Sequence, residues 1–130
     1  MLGDRVTGLD RLPAGGWDAV VDTCGFDAAA VGAAARALAD RAEHYTFVSS
    51  ASVYPGWPTA PVSERSPVFE DPDDPEYGPQ KAAAERAAEA AMPRRALHVR
   101  AGAIVGPHEN IGRLPYWLTR MRRGGDVLAP

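Results

Sequence analysis

Apolar and β-branched residues gather in three short runs, separated by alanine-rich and proline-rich stretches. After a polar start with Gly15-Gly16 as a turn, residues 19–23 predict a strand that Gly25 ends. Asp27 is placed to cap a helix of about 28–42, whose alanines favour helix and whose Val31 and Leu38 give an apolar face. The run Tyr45-Thr46-Phe47-Val48-Ser49, aromatic and β-branched, predicts a second strand over 45–49 that ends in small hydroxyl residues. Strand, helix and strand with short joins mean a parallel pair and a right-handed crossover. Pro55, Pro58, Pro61, Pro67, Pro72 and Pro75 cannot sit in a central strand or a helix interior, so residues 54–76 predict a long surface loop. Glu76 opens a helix to about Ala91, with Pro79 tolerated in its first turn and Pro93 as its stop. Residues 96–101 predict a third strand, 113–123 a further helix, and Asp126 to Ala129 the start of a fourth strand. No internal repeat is present.

Such an order argues an α/β fold with a parallel sheet. Ligands in these sheets bind beyond the carboxyl ends of the strands. Three loops meet that rule: Asp22 to Gly25, Ser49 to Ser52, and Gly102 to Pro107. Their convergence with Tyr77 on one edge points to a small-molecule site there.

Composition narrows the classes. At 130 residues, 45% of them hydrophobic, the chain is one domain at most with enough apolar material for a core. A net charge of -3 and a pI near 5.5 give no basic footprint for nucleic acid, and Arg120, Arg122 and Arg123 read as a solvated helix face. One cysteine excludes an internal disulfide, and no secretory signal opens the chain, so a cytoplasmic location is the expectation. No run of 18 apolar residues exists to span a membrane. Three histidines and the cysteine, scattered, make no metal site.

Lys81 is the single lysine among 14 basic residues, and it follows Tyr77 by four positions in Tyr77-Gly78-Pro79-Gln80-Lys81. Residues at that spacing share a helix face. Lysine is a compact point charge on a flexible stem, suited to approaching a phenol oxygen, whereas arginine is a wide planar fork. A tyrosine with a reference pKa of about 10 needs roughly 4 kcal/mol of help to ionise near neutral pH. A unit charge at about 4 Å, at an effective dielectric near 20, supplies roughly that much. The pair is therefore a candidate tyrosine general base. The bland alternative is a solvated lysine near a surface tyrosine.

These segments, in order, resemble the extended short-chain dehydrogenase/reductases, specifically the NAD-dependent epimerase/dehydratase family. Phe47-Val48-Ser49-Ser50-Ala51-Ser52-Val53-Tyr54 looks like the family's serine strand end, and Tyr77 to Lys81 like its Tyr-x-x-x-Lys. Gly3-Asp4 resembles its Gly-Asp after the third strand, and Asp18-Ala19-Val20-Val21-Asp22-Thr23-Cys24-Gly25 its fourth strand and cofactor-side loop. Lys81-Ala82-Ala83-Ala84-Glu85 resembles the helix continuation, and Val99-Arg100-Ala101-Gly102 through Gly106-Pro107 the sixth strand and following loop. The resemblance implies NAD or NADP as cofactor. Tyr77 would then exchange the hydroxyl proton while Ser50 hydrogen-bonds the reacting oxygen. Ser49 and Ser52 are alternatives to Ser50, and a serine that merely caps backbone is the competing reading. Lys81 would also hold the nicotinamide ribose, Asp4 would contact adenine, and Thr23, Cys24 and Gly25 would lie along the cofactor. Ala101 stands where the family commonly has proline, on the nicotinamide side. Cys24 is expected to be a buried small hydrophobe. His108, Arg113 and Ser52 are candidate substrate contacts, each with a solvated or structural alternative. His44 and His98 read as structural.

No Gly-x-Gly-x-x-Gly or Gly-x-x-Gly-x-x-Gly occurs. The resemblance implies that the glycine loop and its strands lie upstream of Met1 and the substrate-binding region beyond Pro130. The expectation is a partial Rossmann-like doubly wound parallel sheet, with residues 1–130 the central part of one NAD(P)-binding domain. Its full-length form is expected to act on a small molecule such as a nucleotide sugar, and to form a homodimer. The alternatives are a non-catalytic Rossmann-like binding protein, for instance one that binds RNA, and an inactive truncated product.

Overall fold

The computed structural model describes residues 4–56, 61–109 and 111–127. Strand β1 (Trp17–Asp22) pairs in parallel with β2 (Ala42–Ser50), and β2 with β3 (Ala96–Ala101), so the strand order follows the sequence. Helix α1 (Ala28–Leu38) joins β1 to β2, α2 (Tyr77–Ala91) lies between β2 and β3, and α3 (Arg113–Arg122) follows β3. This is a partial Rossmann-like α/β fold.

Local chemistry sets the element ends. Asp27 caps α1 by accepting the amide N–H of Ala29 at 2.9 Å. The helix stops at Leu38, earlier than the alanine run suggests. There the Arg41 amide turns back to the Leu38 carbonyl, and the Arg41 carbonyl accepts from Trp17. The Arg41 guanidinium bonds the carbonyls of Gly15 and Pro13 and lies 4.7 Å from the Trp17 ring centre. These contacts start β1 at Trp17 and β2 at Ala42, each a few residues earlier than expected. Pro79 sits in the first turn of α2, where its missing N–H costs nothing. Asp126 and Val127 form no strand, and residues 128–129 of the expected fourth strand lie outside the described residues, as do Gly3 and Pro58.

The core lies between the helices and one sheet face. Val31, Ala35 and Leu38 of α1, Ala84 and Ala88 of α2, and Met92 pack with Tyr45 and Phe47 of β2. The period-two alternation of the strands leaves Val21, Leu97 and Val99 on the other face, exposed at 62%, 49% and 42%. A parallel sheet is ordinarily covered on both faces. Helix α3 buries none of its residues.

Candidate active site

Helix α2 begins against the turn that follows β2. A side chain at Gly78 would run into the Ser52 carbonyl oxygen and the Phe69 ring, so only glycine lets the helix start press this close. That approach puts Tyr77, 46% exposed, beside Ser50 and Ser52 in the lining of one cleft of about 950 Å³. Ala101 at the end of β3, Gly102 and Ile104 after it, and Val62, Phe69 and Arg113 complete much of the wall. Ser50 and Ala101 are register partners at the ends of β2 and β3, which explains why both reach the same edge.

Lys81 lies one turn further along α2 and is buried, with 4% of its surface exposed. Its ammonium donates to the carbonyls of Gly25 at 2.8 Å and Val48 at 2.7 Å, and stands 4.3 Å from the Phe47 ring centre. Burial pushes its pKa below the ordinary value, against the opposing pull of the Asp22 and Glu85 carboxylates. No hydrogen bond joins Lys81 to Tyr77 among the described residues. Phe26 connects them instead: its ring centre lies 6.0 Å from that of Tyr77 and 5.7 Å from the Lys81 ammonium. An aromatic on the β1 loop carries no motif in the sequence, and this contact was not anticipated.

Ser50 does cap backbone. Its hydroxyl oxygen accepts from the Ser52 amide at 3.1 Å while its O–H lies 3.1 Å from the Ser52 hydroxyl. Both hydroxyls nevertheless line the cleft. Ser49 points the other way, into the core, at 5% exposure. Its hydroxyl acts on the Glu85 carboxyl but falls short of hydrogen-bond geometry, leaving its oxygen without a partner.

The loop after β1 is organised by Asp22. Its carboxylate takes a two-pronged ion pair from Arg5 at 2.9 and 2.8 Å, the Tyr45 hydroxyl at 2.6 Å and the Cys24 amide at 3.1 Å. Burial alone would raise the Asp22 pKa, but these donors outweigh it and hold the carboxyl below its ordinary value. Burial and the Asp22 carboxylate keep the Tyr45 phenol protonated well above its usual range. By drawing in the Cys24 amide, Asp22 turns the chain. Gly25 takes the buried place against Val31 and Phe47, and Cys24 is exposed rather than the buried hydrophobe expected. Thr23 is exposed as well. Asp4 spends one oxygen on the amides of Val6 and Thr7, both at 2.8 Å, and on the Thr7 hydroxyl at 3.1 Å. The backbone donors lower its pKa.

A group with a depressed folded pKa stabilises the fold above its unfolded value and loses that contribution as pH falls through the folded one. Asp22→Asn should therefore melt below wild type at neutral pH. The gap should narrow as pH drops from about 4 downward, where wild type also loses the charge. A gap that stays constant from pH 7 into acid would show that the Asp22 charge does not carry the effect.

Glu85, one turn beyond Lys81, is buried at 4% exposure and is gripped by Arg100 through contacts of 3.0 and 2.8 Å. Arg100 also donates to the Tyr54 hydroxyl at 2.9 Å. Burial works to raise the Glu85 pKa, and the guanidinium more than reverses it. His98 packs edge-on to Phe47 with Nδ1 3.8 Å from Glu85, and burial lowers its pKa, which agrees with a structural role. Neither Glu85 nor Arg100 stood out in the sequence as a partner of the other. The i, i+4 step from Lys81 to Glu85 was the one available signal.

His108 is exposed in a turn and does not line the cleft; Arg113, also exposed, does. Among the described residues no group of three His, Cys, Asp or Glu side chains could hold a metal ion, and no helix is long and apolar enough to cross a membrane. A model of the NAD dependent epimerase/dehydratase family matches residues 23–129. No curated protein and no solved structure matches the chain.

Proposed function

The chain belongs to the NAD-dependent epimerase/dehydratase family, and from that premise we propose that Ser50, Tyr77 and Lys81 serve nicotinamide-dependent chemistry on a hydroxyl or carbonyl substrate such as a nucleotide sugar. The observation that carries the reading is the half-exposed Tyr77 phenol sharing a cleft with Ser50, with the chain's single lysine buried one turn away on the same helix.

The residues on this edge fit a nicotinamide nucleotide. Thr23 and Cys24 are exposed at the carboxyl end of β1, and Ala101 offers a small side chain next to Ser50. An ammonium has three N–H groups. Two of those on Lys81 are taken by backbone carbonyls, so the third is the one to meet a ribose hydroxyl. When bound, NAD or NADP would accept or return hydride. Tyr77 removes or donates the substrate proton, Ser50 hydrogen-bonds the reacting oxygen, and Ser52 and Arg113 contact the rest of the substrate. Asp4, its side chain occupied by its own turn, would reach adenine only through its remaining oxygen.

Titrating the isotope-labelled chain with NAD⁺ or NADP⁺ tests the placement. Amide shifts are expected at Thr23, Cys24, Gly25, Lys81 and Ala101. Shifts confined to the opposite end of the strands would overturn it and favour a binding protein for another ligand.

A further inference from the structure

Residues 61–76 carry four of the prolines and form no helix or strand, yet part of this segment is fastened at several points. The Tyr54 hydroxyl donates to the Ser63 carbonyl at 3.0 Å, and the Phe69 amide donates to the Val53 carbonyl at 2.9 Å. The Phe69 ring lies against Gly78 at the start of α2. Arg86, two turns down α2, reaches across with both arms: Nη1 donates to the Phe69 carbonyl at 2.7 Å and Nη2 to the Glu70 carbonyl at 3.2 Å. Val62 and Phe69 are the apolar residues that this segment contributes to the cleft. A segment with no ladder of its own depends on such scattered bonds, and the charge-assisted ones are the strongest available.

We propose that Arg86 is a positioning residue, fastening residues 62–70 to α2 as a fixed wall of the cleft. Val62 and Phe69 then select which substrates fit beside Tyr77. Arg86 is solvent-exposed and stands apart from the core, so its work is local. The role of the wall in substrate choice rests on the proposed function. The fastening does not, and it can be read without cofactor or substrate.

The test is amide hydrogen exchange on the full chain, with Arg86→Met and Arg86→Lys. In Arg86→Met the Phe69 amide should exchange about tenfold faster or more, the worth of losing charge-assisted bonds. In Arg86→Lys, which keeps the charge and one reach to a carbonyl, the increase should be smaller. Ala84 and Ala88 amides in α2 should keep their wild-type rates in both. Trypsin cleavage after Arg65 should quicken in step with Phe69 exchange. An unchanged Phe69 rate in Arg86→Met, an equal increase in both variants, or an increase that spreads equally through α2 would each overturn the proposal.

Discussion

Tyr77→Phe is expected to slow hydride transfer by about 10² to 10⁴, the usual worth of general acid/base catalysis, with little change in cofactor affinity. The substitution keeps the ring against Phe26 and removes only the hydroxyl that lies in the cleft with Ser50. Lys81→Arg should fail as well. The slot between the Gly25 and Val48 carbonyls and the Phe47 ring holds a compact ammonium, and a planar guanidinium has other geometry and bulk. Single-turnover reduction of NAD⁺ by a hydroxyl substrate, compared between wild type and each variant, is the measurement. Wild-type rates in both variants would show that the tyrosine and lysine spacing here is structural.

The second large effect concerns stability. Arg100→Met should destabilise the fold by up to about 3–5 kcal/mol, because removing the part-buried guanidinium strands the buried Glu85 carboxylate. The Glu85 carboxylate would keep no hydrogen bond of the strength that Arg100 gives it, with only the Ser49 hydroxyl and His98, at 3.8 Å, nearby. Chemical denaturation at neutral pH gives the number. The double variant Arg100→Met with Glu85→Leu should recover part of the loss, since a pair of apolar groups leaves no charge uncompensated. A loss under about 1 kcal/mol in the single variant would mean that Glu85 finds water when Arg100 is gone.

Much of the fold was legible along the chain, because its causes are local. Asp27 before an alanine run is a helix start on any surface, and Pro79 within three residues of a helix N-terminus is harmless wherever the helix packs. The strand over 96–101 matched its observed bounds. Helix α1 was harder, since its alanines would extend it and the turn at Leu38 is held by long-range contacts of Arg41 with Trp17 and residues 13–15. The exposure of Cys24 was illegible for the same reason: it follows from an Asp22 carboxylate that Arg5 and Tyr45 hold in place from other parts of the chain.

The sequence by itself determined the parallel α/β order, the carboxyl edge where the loops converge, and the Tyr77 and Lys81 candidates, because hydrophobic period, capping residues and i, i+4 spacing act over a few residues; Ser50 was a candidate through the family resemblance. Tertiary structure decided how those candidates are held. It turned the Lys81 ammonium to the Gly25 and Val48 carbonyls, brought Phe26 near both Lys81 and Tyr77, joined Glu85 to Arg100, and fastened Phe69 through Arg86. Those contacts depend on strand register and on the close approach at Gly78. Both are set by packing between segments distant in sequence, where no local pattern carries the information.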